Sequence, residues 1–125
     1  MKAVLAAVLI AALSGCATQS ANIRIGSGQS YASLRDQREA SISVKQYPEA
    51  PAGAEMLGSV DASRCHRNAL DAPPDEAMLM ADLKVAAYAR GADGIAAITK
   101  TQESGLLKNC WYVITVRATA FRIKS

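Results

Sequence analysis

Residues 3–13 form an unbroken apolar run, preceded by one positive charge, Lys2, and followed by two small residues, Ser14 and Gly15. Beyond it, hydrophobic and polar positions interleave, and their spacing divides the chain. Residues 17–39 are rich in Ser, Gly and Gln, and no period of 2 or 3.6 persists, which predicts a flexible tether. As a coil, its 23 residues would span roughly 25–30 Å. Residues 41–47 alternate polar and apolar, the pattern of a half-buried strand, and Pro48 stops them at a turn over residues 49–53. Residues 56–60 read as a second short strand, with Gly58 placed for a bulge. Residues 61–74 are polar and end in two prolines, so they read as a loop that holds Cys65.

Residues 75–90 carry the clearest helix signal. Asp75 and Glu76 put negative charge at its start, Arg90 lies in the last turn, and Gly91 suits a left-handed cap. Leu79, Leu83, Ala86 and Ala87 fall on one apolar stripe, Met78, Met80 and Val85 widen it, and Asp82 and Lys84 belong on the wet side. A third strand follows at residues 94–99, a turn at 102–108, and a long β-segment at 109–123. Its alternation places Cys110, Tyr112, Ile114, Val116, Ala118 and Ala120 toward the helix. Trp111, Val113, Thr115, Arg117, Thr119 and Phe121 take the opposite face. The order β-β-α-β-β defines an α+β fold, one helix on a small, mainly antiparallel sheet. Three parts result: residues 1–15 as a leader, 16–39 as a tether, and 40–125 as a globular domain.

The leader has the three-part layout of an export signal. Its apolar run is too short for a membrane-spanning helix, which needs roughly 20 residues. Leu13-Ser14-Gly15-Cys16 resembles the lipobox of bacterial lipoproteins, which implies acylation of Cys16 and cleavage just before it. Each buried methylene of an acyl chain contributes about 0.8 kcal/mol, so several chains on one residue hold a domain firmly at a bilayer. By the same resemblance, Ala17 in place of an aspartate implies the outer membrane, with the domain in the periplasm. Without residues 1–15 the chain has 13 basic and 11 acidic residues, a net charge of +2, too small to argue for nucleic acid.

With Cys16 acylated, Cys65 and Cys110 remain as an even pair in an exported domain, where disulfides persist. A bridge between them would contribute about 4 kcal/mol through loop closure. A metal site that adds His66 is the sharper alternative, although adjacent ligands rarely serve one ion and a fourth is missing. Free or redox-active thiols are the third, without a Cys-x-x-Cys motif to support them. His66 is the lone histidine, in a loop, and no nucleophile elbow, zinc-protease motif or phosphate loop occurs. The expectation is a non-enzymatic protein with no cofactor.

The stretch from Leu57 to Ile123 resembles the globular domain of the RcsF family, outer-membrane lipoproteins that sense envelope stress. The resemblance rests on Leu57-Gly58-Ser59-Val60 followed by Cys65, on Pro73-Pro74 before the helix, on Ala87 and Gly91-Ala92-Asp93-Gly94-Ile95 at its end, and on Cys110 with the strand ending at Ala118 and Ala120. It implies signalling by protein contact to an inner-membrane regulator of a phosphorelay, and binding to the barrel-assembly machinery and outer-membrane barrels. It also implies the Cys65–Cys110 bridge. The family's second bridge would fall near Thr101 and Val116, where this chain has no cysteine, and the tether lacks the family's prolines. Candidate contact residues are Met78, Met80 and Tyr88 on the helix and Trp111, Arg117 and Phe121 on the outer sheet face. The rival readings are a structural accessory lipoprotein without a signal, and a metal- or small-ligand-binding domain.

Overall fold

A computed structural model describes residues 23–25 and 32–125. In chain order the elements are β1 (Ile23–Ile25), α1 (Leu34–Ser43), β2 (Lys45–Gln46), β3 (Glu55–His66), α2 (Glu76–Ala89), β4 (Gly94–Ser104), a 3-10 turn (Leu106–Lys108) and β5 (Tyr112–Arg122). The strands form one sheet in the order β1-β3-β5-β4-β2. Among the described residues only β2 against β4 is parallel; the other pairs are antiparallel. The fold is α+β, as the pattern predicts.

The helix α2 follows its sequence signals closely. The Asp75 carboxylate accepts the Ala77 N–H at 3.2 Å and caps the start. At the other end Gly91 takes φ +75°, and the Gly91 and Ala92 N–H groups reach back to the Tyr88 and Ala87 carbonyls. This paired closure needs a residue that tolerates the left-handed conformation, hence glycine. Leu79, Leu83, Ala86 and Ala87 are buried as expected, against Val60 and Ala62 of β3 and Ile114, Val116, Ala118 and Ala120 of β5.

Four expectations are corrected. First, residues 34–43 are helical, so the folded domain begins before residue 40 and a second helix packs on α2. Ser33 Oγ accepts the Asp36 N–H at 3.1 Å, and Ala40 and Val44, four residues apart, are both fully buried. That helical pair outweighs the local alternation, which leaves Ile42 exposed at 55%. Only Lys45 and Gln46 of the expected strand pair with β4. Second, β3 continues through residues 61–66, which were expected to be loop. Its whole length pairs with β5, from Glu55 opposite Arg122 to His66 opposite Tyr112. Third, Asp82 is buried rather than wet, at 3% exposure. Fourth, β4 runs five residues past Thr99 to Ser104. The leader, Cys16 and residues 17–22 and 26–31 of the expected tether lie outside the described residues, while residues 23–25, expected as tether, pair with β3.

Candidate interaction surface

One face of the sheet carries α2 and the core; the other is largely open. On the open face, aligned positions of three strands line a groove of about 320 Å³: Asp61 and Ser63 from β3, Thr115 and Arg117 from β5, and Thr99, Thr101 and Glu103 from β4. Its rungs follow from strand register. Asp61 lies opposite Arg117, which lies opposite Thr99; Ser63 lies opposite Thr115, which lies opposite Thr101. The Ser63 and Thr115 hydroxyls hydrogen-bond at 2.7 Å. The groove therefore offers hydroxyls between carboxylates and one guanidinium, a surface suited to polar contacts.

Beside it, the outer edge of β4 has no strand partner past Ile95 among the described residues. Residues 97–104 are all exposed. A bulge between Ala96 and Thr99, with Ala97 in the left-handed conformation at φ +52°, and the charges of Lys100 and Glu103 interrupt this edge. Such devices discourage indiscriminate strand pairing.

The groove ends at the disulfide. Cys65 and Cys110 are bonded, with Cα atoms 5.6 Å apart, and pack with Val113 on the open face. Both sulfurs are thus consumed, so the thiolates that a Cys65–His66–Cys110 metal site would need are not available. Strand alternation also separates the adjacent pair: His66 turns to the helix side, stacked on Tyr112 with ring centroids 4.7 Å apart. His66 is not the solvated loop residue expected. It is 3% exposed, and its Nδ1 has no hydrogen-bond partner among the described residues. Among those residues no three His, Cys, Asp or Glu side chains converge as metal ligands.

The six candidate contact residues are not brought together. Arg117 lines the groove. Trp111 is 62% exposed at the disulfide end, its backbone N–H donating to the His66 carbonyl at 2.7 Å. Met78 is exposed on α2, whereas Met80 and Tyr88 are half-buried against the core, so the helix presents no broad apolar face through them. Phe121 is corrected outright. It is fully buried, with the Tyr47 ring edge-on to it at 5.3 Å. The segment after β2 folds over this end of the sheet and covers the ring. Sequence reasoning does not single out Thr99, Thr101 and Glu103: the expected strand ends at Thr99, and Glu103 falls in the expected turn, whereas β4 carries all three. It also missed Leu106 and Leu107, adjacent exposed leucines in that turn.

No protein-family model matches the chain, and no curated protein matches its sequence. No helix among the described residues is long and apolar enough to cross a membrane.

Proposed function

We propose that the protein is a non-enzymatic lipoprotein, acylated at Cys16 on the outer membrane, whose domain acts in envelope-stress signalling by protein contact. The buried Cys65–Cys110 disulfide carries this reading. A bridge of this kind fits an oxidising compartment, and it joins the two cysteines through which the chain resembles the RcsF domain. The open groove around Arg117 and the unpaired edge of β4 offer the contact surface, and an envelope protein such as a phosphorelay regulator or an outer-membrane barrel would be its partner.

The test combines location with output. Deletion of the protein and Cys16→Ala, which releases the domain from the membrane, should each change an envelope-stress reporter. In-cell crosslinking from the groove should recover an envelope protein. An unchanged reporter under both deletion and release would sink the signalling role. A stable partner without any transcriptional response would replace it with a structural accessory role.

A further inference from the structure

The geometry points to a second contact of the domain: the end that carries the disulfide docks on the lipid bilayer itself. This inference rests on the acylation of Cys16.

The apolar tip is built by three residues on the turn between β4 and β5. Leu106 is 81% exposed, Leu107 is completely exposed, and Trp111 is 62% exposed. The turn is a fixed structure. The Lys108 and Cys110 N–H groups both donate to the Gly105 carbonyl at 2.9 Å. A side chain at Gly105 would collide with Cys110, its Cβ falling 2.4 Å from the Cys110 Cβ, so only glycine allows the closure. The disulfide ties Cys110 to β3, and the Trp111 N–H ties the next residue to the His66 carbonyl. Three large apolar side chains are therefore held in water by a braced turn. Such groups on a soluble surface mark a contact site when clustered.

The path of the chain identifies what they meet. β1 pairs antiparallel to β3 with Ile23 opposite Cys65 and Ile25 opposite Ser63. β1 therefore has its first residue, Ile23, at the disulfide end, the end that carries Leu106, Leu107 and Trp111. Six residues, and so seven Cα–Cα steps, separate Ile23 from Cys16. Even fully extended they span at most about 25 Å. An acylated Cys16 thus holds this end, and not the opposite one, next to the bilayer. Trp is favoured at the membrane–water interface, where Lys and Arg can reach the headgroups, and Arg67 and Lys108 flank the tip as exposed cations. The headgroup layer is roughly 5–8 Å deep, a depth that side chains on a tight turn can enter.

Trp111 is the only tryptophan in the chain and reports on the contact directly. The full-length acylated protein, its Cys16 modification confirmed by mass, is reconstituted in vesicles of phosphatidylethanolamine and phosphatidylglycerol with or without brominated acyl chains. Docking predicts a blue-shifted Trp111 emission that brominated lipid quenches. Leu106→Glu with Leu107→Glu should abolish shift and quenching while the protein still floats with the vesicles. Ile123→Glu, an exposed apolar site at the far end of the sheet, should leave both intact. Emission that stays red-shifted and unquenched in floating wild-type protein overturns docking and leaves the anchor standing. The same holds if the tip is shielded only in native membranes, where it crosslinks to a protein. An unmodified Cys16 overturns the anchor reading and the docking inference together, and the mass shows this before any vesicle is added.

Discussion

Arg64 on β3 reaches across the core face to Asp82 on α2 and holds its carboxylate through two hydrogen bonds, Nε to Oδ2 at 2.7 Å and Nη2 to Oδ1 at 3.1 Å. The side chains are 13% and 3% exposed, so both charges have left bulk water. The pair fixes how α2 sits on the sheet, and each partner depends on the other for its burial. Asp82→Ala should therefore destabilise the domain by about 3 kcal/mol, because it takes the opposite charge away from a guanidinium that is largely buried. The double variant Arg64→Met, Asp82→Leu should recover most of that loss, since well-packed apolar replacements of a buried ion pair are often neutral. Chemical denaturation of the two variants checks both signs. Equal stability of Asp82→Ala and wild type would mean that the pair is not closed in solution.

The Cys65–Cys110 bridge joins the end of β3 to the turn before β5. In the chain-entropy account, its closure of a long loop contributes about 4 kcal/mol. For a small domain with a marginal core this is a large share of total stability. Cys65→Ser and Cys110→Ser should each lower the melting temperature by a similar amount and leave one reactive thiol on the former partner. Reduced wild type should melt alongside them. Thiol labelling before and after reduction, paired with the melts, gives the result; variants that melt like oxidised wild type would remove the bridge from the stability argument.

Phe121 separates a surface role from a core role. A contact residue on an open face can be truncated with little effect on folding, usually within about 0.5 kcal/mol. A buried phenylalanine costs about 3–5 kcal/mol when cut to alanine. Phe121 is fully buried, edge-on to Tyr47, and so close to Gly94 that a Cβ there would sit 2.4 Å from its ring. Phe121→Ala should fall in the larger class. Gly94→Ala should also destabilise, through overpacking against the same ring. Thermal melts of both variants decide, and two wild-type curves would return Phe121 to the surface.

The helix α2 and the inner face of β5 from Tyr112 to Ala120 were legible because each buries one stripe of consistent period; Cys110, expected on that face, lies before the strand and packs with Cys65 and Val113 instead. Residues 61–66 were not, because the polar members of that strand are satisfied by partners distant in sequence: Arg64 by Asp82 and Ser63 by Thr115. Composition registers such residues as loop. The helix α1 is polar over most of its surface, so its period was faint, although Ser33 and Asp36 stand at the spacing of a cap. Arg117 was found from alternation alone. Its neighbours in the groove needed the register of β4, which a bulge shifts by one residue and no local pattern encodes.

Arg117 is the cation of the groove and lies opposite Asp61, with Glu103 further along the same lining. Its side chain is exposed, so Arg117→Glu should leave the domain folded, with a loss of no more than about 1 kcal/mol from the like charge set opposite Asp61. The same change turns a mixed-charge groove into a wholly acidic one. A partner held through the guanidinium would then meet like charge, which costs binding well beyond the loss of one contact. Arg117→Glu should therefore reduce in-cell crosslinking from the groove and the stress-reporter response together, with protein level and membrane location unchanged. Thr99→Ala, at the same rung but without charge, should have a much smaller effect. If Arg117→Glu folds, stays at the membrane and keeps full crosslinking and output, the groove is not the contact surface, and the unpaired edge of β4 becomes the next surface to mutate.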